Sequence, residues 1–144
     1  MLSHSFTSRL ALLLAVVATG CGGSAGPKLA ETVGVVTYKG KPLPAAAIVL
    51  IPANGPASYG STDANGAFTL STTGNPGAMV GPAQVAITAY QQLAEMKSEE
   101  KLTAADLKIM NTSLIPIKYG NPDTSGLKAD VKPDTKNEFK FDLQ

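Results

Sequence analysis

Few side chains in this chain are of types that do chemistry, and they stand far apart. Cys21 is the only thiol. One thiol has no disulfide partner within the chain, and left free outside the cytoplasm it is reactive, so covalent modification is its natural use there. Asp63 and Asn65, in "STDANGAFTL", set two oxygen donors one residue apart. That spacing occurs at the start of a calcium loop, but the rest of such a loop is missing, and a tight turn needs the same residues. Tyr119, Asn121 and Ser125 lie in "KYGNPDTSG", a polar stretch punctuated by proline and glycine. It is either a binding loop, or an inward-packed tyrosine followed by turns at Asn121-Pro122 and Ser125-Gly126.

The chemistry available is narrowed further upstream. Arg9 followed by the apolar run "LALLLAVVA" has the form of a secretory signal, and the run is shorter than the roughly 20 residues that span a bilayer. A signal peptide is therefore expected over residues 1–20. Cleavage before Cys21 would remove His4 and Arg9, the only histidine and the only arginine of the 144 residues. The remainder would hold no histidine, arginine or tryptophan. That excludes Ser-His and Cys-His nucleophile pairs, imidazole metal sites and guanidinium clamps on anions. Its 11 Asp and Glu would face an equal number of lysines. With those lysines scattered singly, a nucleic-acid partner is not expected.

"ATGC" at residues 18–21 resembles the lipobox of bacterial lipoproteins. The resemblance implies that the Cys21 thiol is diacylated and becomes the first mature residue. Two acyl chains, at about 0.8 kcal/mol per buried methylene, make a lasting membrane anchor where one does not. Gly22 after the cysteine resembles the signal for transport to an outer membrane. "GGSAGPK" then reads as flexible linker, so residues 21–30 are expected to be a lipidated tether and residues 31–144 one domain.

The elements that position these residues are mostly strands. "TVGVVTY" and "AAAIVLIP" are β-branched and apolar runs separated by the turn-like "KGKPLP". "GAFTL" follows the Asn65-Gly66 turn signal, and "AQVAITAY" sets Val85, Ile87 and Ala89 on one face. Leu127, Ala129 and Val131 alternate with polar residues, as do Phe139, Phe141 and Leu143. With "KPDTKN" between them, a closing hairpin is expected. Residues 93–111 lack glycine and proline and are rich in helix formers, with Thr103 and Asp106 in capping-box spacing. A short helix near Ala104, with Leu107 and Met110 on one face, is expected there, as a surface excursion or a partner-binding lid.

"GVVTYKGKPLPAAAIVLIP", "STDANGAFTL" and "GPAQVAITAY" together resemble the carboxypeptidase regulatory-like domain of the transthyretin-like group. Gly34, Gly40, Pro42, Pro44, Thr62, Asp63, Gly66, Phe68 and Tyr90 are among the matching positions. Ala45 stands where glycine usually follows the second proline, and Gly81-Pro82 where a glycine-tyrosine step is usual. The resemblance implies an all-β, seven-stranded transthyretin-like (prealbumin-like) β-sandwich with a short helical insertion. It implies a non-enzymatic envelope module that contacts another envelope protein, or alternatively a cell-surface glycan, with no cofactor or metal. Some transthyretin-like proteins hydrolyse 5-hydroxyisourate, but with histidines, an arginine and a carboxy-terminal tyrosine motif. This chain ends in "KFDLQ" and carries none of these after Cys21.

Overall fold

The computed structural model describes residues 26, 28–91, 103–105, 108 and 111–144. Short extended runs broken by glycine and proline form twelve strands among them. These are β1 (Leu29–Ala30), β2 (Thr32–Tyr38), β3 (Lys41–Pro42), β4 (Ala47–Pro52), β5 (Ser58–Ser61) and β6 (Ala67–Thr69). They continue with β7 (Ser71–Thr72), β8 (Asn75–Pro76), β9 (Ala78–Met79), β10 (Gly81–Thr88), β11 (Leu127–Val131) and β12 (Asn137–Leu143). A 3-10 turn, Ile117–Gly120, and a helical turn, Pro122–Ser125, precede β11. Residues 104, 105 and 108 are helical, where the sequence predicts a helix. Asp106, Leu107 and Met110 lie outside the described residues, as does most of the 93–111 segment.

The larger sheet is antiparallel, in the order β11, β10, β4, β5, β7, β8. The smaller has β2 at its centre, with β12 on one side and β3 and β6 on the other, and β1 with β9 forms a separate two-stranded ribbon. β4 and β10 pair over six positions, from Ala83 opposite Pro52 to Thr88 opposite Ala47. Because side chains alternate faces, that register brings Ile48 opposite Ile87 and Leu50 opposite Val85, all buried. They form one core with Val36, Phe68, Phe141 and Leu143 of the smaller sheet. Two sheets enclosing one apolar interior is the arrangement of a β-sandwich.

The expected closing hairpin is contradicted. β11 pairs antiparallel with β10, whereas β12 crosses to the other sheet and pairs parallel with β2 over seven positions. The Asn137 side chain secures the crossing. It accepts the Lys132 amide at 2.8 Å and donates to the carbonyls of Lys132 at 3.0 Å and Thr135 at 3.1 Å. This bends residues 132–136 into an arch between the sheets. The alternating pattern identified the buried side of each strand correctly, but it carries no information on which sheet the strand joins.

Ala45 adopts φ +52°. An L-residue with a Cβ is disfavoured there by roughly 1–2 kcal/mol. Thr62 holds the bend around it: its hydroxyl donates to the Leu43 carbonyl at 2.6 Å and accepts the Ala46 amide at 2.8 Å. The Ala45 amide donates to the Thr62 carbonyl at 3.1 Å.

Candidate functional site

The smaller sheet has two unlike faces. Inward, Phe68 lies directly across from Gly34, and its ring stacks on Phe141, which stacks on Phe139, each pair with centroids 6.1 Å apart. Gly34 makes room for this row: a Cβ there would lie 2.5 Å from the Phe68 ring and 2.3 Å from the Phe139 carbonyl oxygen. Outward, the same strands present Val33 and Val35 on β2, Ala67 and Thr69 on β6, and Glu138 and Lys140 on β12. With β5 alongside, this face curves into an open groove of about 1100 Å³.

Tyr59 forms one wall of the groove and is 58% exposed. Its strand went unread in the sequence because the inward residues of β5 are Ser58 and Gly60 instead of apolar side chains. Ser58 is nevertheless fully buried, its hydroxyl 2.8 Å from that of Thr72. Gly60 is needed because a Cβ there would meet the Thr69 carbonyl oxygen at 2.5 Å. The usable signal was a tyrosine alternating with small residues between two glycine-bearing turns.

The opposite wall carries charges of both signs. Lys136 lies 3.7 Å from Glu138 and 3.8 Å from Glu31, and Lys140 lies 3.4 Å from Asp142. All are exposed, so each pair contributes about 0–1 kcal/mol. Thr37 donates a hydrogen bond to Asp142. That bond, helped by Lys140 and opposed by some desolvation, holds the Asp142 carboxyl below its ordinary value. An apolar floor, one exposed ring and a mixed-charge wall suit contact with a peptide or a sugar.

Of the residues selected from the sequence, Asp63 lines the groove, whereas Tyr119, Asn121 and Ser125 lie away from it. Cys21 is outside the described residues. Tyr119, 6% exposed, packs inward, and its hydroxyl accepts the Gln144 amide at 3.0 Å and lies 3.3 Å from the Gln144 carbonyl. Asn121 caps the helical turn by accepting the Asp123 amide at 2.9 Å. Ser125, also 6% exposed, donates to the Val85 carbonyl at 2.6 Å and accepts the Leu127 amide at 3.1 Å. The three share one short segment, residues 117–125, and each bonds its polar group to backbone of the same molecule. Asp63 Oδ1 likewise accepts two amides of its own turn, from Asn65 at 2.8 Å and Ala67 at 2.9 Å, while Gly66 takes φ +74°. Among the described residues no three His, Cys, Asp or Glu side chains group as metal ligands.

Compared with models of protein families, with curated proteins and with solved structures, the chain finds no match.

Proposed function

We propose that this chain is a lipoprotein of the bacterial cell envelope, held to a membrane through acylated Cys21, whose β-sandwich serves as a non-enzymatic interaction or structural module. The observation that carries the interaction reading is the open groove across β12, β2, β6 and β5, with Tyr59 standing exposed in its wall. An exposed aromatic ring beside an apolar floor is the type of surface at which binding energy concentrates. The anchor reading rests on the order of segments: a signal-like run, "ATGC", a glycine-rich stretch, then β1 beginning at Leu29.

The carboxypeptidase regulatory-like, transthyretin-like reading draws support from the positions that carry the resemblance. Gly34 lies under Phe68, Gly66 takes a positive φ, Asp63 closes the turn, and Ala45 occupies a backbone conformation that glycine prefers.

The test is cross-linking in intact cells with a tag at the carboxy terminus, followed by mass spectrometry of protein and glycan adducts. A protein adduct present in the wild type and lost in Tyr59→Ala is the expected result. Adducts indifferent to Tyr59 would rule out the groove as the contact face. A glycan reading is favoured by the Tyr59 ring alone, since sugars stack on exposed aromatic faces, and glycan adducts without a protein partner would establish it. For the anchor, Cys21→Ser is expected to move the protein from the membrane to the soluble fraction. Continued membrane partitioning of that variant would remove the lipid from the account.

A further inference from the structure

β12 has one hydrogen-bonded neighbour among the described strands. It pairs with β2 along its whole length and ends its sheet. The other edge offers a row of unpaired N–H and C=O groups, a template on which another strand can be added. Lysines on such an edge ordinarily oppose that addition. Here, however, the outer face carries Lys136, Glu138, Lys140 and Asp142 in strict alternation of sign, all exposed.

The alternation is self-complementary. In an antiparallel pair of identical strands, opposed residues point to the same face, and the residue on the twofold axis fixes the register. With Phe139 on the axis, Lys136 lies opposite Asp142 of the other copy and Glu138 opposite its Lys140, and the symmetry repeats both pairs. Moving the axis to residue 138 or 140 sets lysine against lysine and carboxylate against carboxylate. Moving it to residue 137 or 141 halves the number of matched pairs within 136–142. The inner row agrees with the Phe139 register: Phe139 is half-buried at the margin of the core, and it would meet its own copy across the axis.

We propose that two copies of this chain join edge to edge along β12, antiparallel and centred on Phe139, fusing their smaller sheets into one. Lys136, Glu138 and Lys140 also wall the groove, so the two grooves come to lie side by side. The pairing holds whatever the groove binds, and it is measured without any second partner.

The test uses the full chain, purified in mild detergent as an equal mixture of isotope-labelled and unlabelled copies. A zero-length carbodiimide condenses a lysine amine with a carboxylate into an amide wherever the two touch, itself taking up the water and leaving as its urea. Mixed-label peptides joining Glu138 to Lys140, and Lys136 to Asp142, are expected. Lys140→Glu sets carboxylate against carboxylate twice per dimer. It is expected to weaken association about tenfold in sedimentation. The exchange Glu138→Lys with Lys140→Glu restores the opposite-charge pairs across the axis and is expected to restore association. Both positions are exposed, so unchanged melting temperatures will show that the fold is intact. A wild-type chain that remains monomeric at every concentration overturns the proposal. So do mixed-label links confined to other positions, association indifferent to Lys140→Glu, or failure of the exchanged variant to recover.

Discussion

The segment running from Ile117 to Ser125 and the outer face of β2, β6 and β12 make opposite use of their polar groups. The first is rich in hydroxyls and amides, yet Tyr119, Asn121 and Ser125 each bond to backbone within the same molecule. The second contains ordinary valines, an alanine and a row of lysines and carboxylates, but its side chains are left to solvent and to one another. Polar composition alone therefore does not mark a recognition surface. What distinguishes the two regions is whether the polar groups already have partners, because a group bonded inside the fold must break that bond before it meets a ligand.

The contrast is broken most forcefully from beneath the open face. Phe68→Ala removes the ring that covers Gly34 and stacks on Phe141, and is expected to cost about 3–5 kcal/mol in chemical denaturation. A loss under about 1 kcal/mol would mean that the aromatic row does not support the groove floor. Ser125→Ala comes next. It strips the Val85 carbonyl and the Leu127 amide of their buried partner, at about 1–3 kcal/mol, and a neutral result would undo the account of this segment as structurally committed.

Ala45→Gly, remote from both regions, serves as a control with the opposite sign. Relief of the positive φ outweighs the added flexibility of the unfolded chain, so a gain of up to about 1 kcal/mol is expected with no change at the groove. The smallest effect belongs to Asp142. Its folded carboxyl titrates below the ordinary value, so its contribution to stability is present above the ordinary aspartate range and lost as the pH falls through the lower folded value. Thr37→Val removes the hydroxyl that is the main cause, and side-chain NMR should show the titration moving upward. A titration that stays in place would assign the depression to Lys140 instead.

Much of the strand framework was legible in the sequence. β2 and β11 coincide with their expected bounds, and β4, β6, β10 and β12 differ by one or two residues at their ends. Apolar alternation reports burial directly, so Val85, Ile87 and Ala89, and Phe141 with Leu143, were assigned to the interior from pattern alone. Two kinds of information were hidden. β5 could not be read because its buried residues are Ser58, satisfied by a hydroxyl fourteen positions away, and Gly60. The parallel pairing of β12 with β2 could not be read because a contact between strands a hundred residues apart leaves no local trace. The groove needs both, which is why Tyr59 did not stand out among the four tyrosines. Asp63 and Gly66 were legible for the converse reason, since an Asx turn is made within five consecutive residues.

The parallel run of β2 and β12 also has a mechanical meaning. Both strands point the same way, with Thr32 beside Asn137 and Tyr38 beside Leu143. A pull on the chain before β2 therefore drags that strand toward one end of the sandwich, while a load on the far end of β12 drags it toward the other. The two-residue ribbon of β1 and β9 can peel open one bond at a time, but β2 and β12 must slide past each other with the whole ladder strained at once. A chain held at a surface by its first residues would bear tension at that clamp, and a single-molecule pull between the two ends would meet its main resistance there.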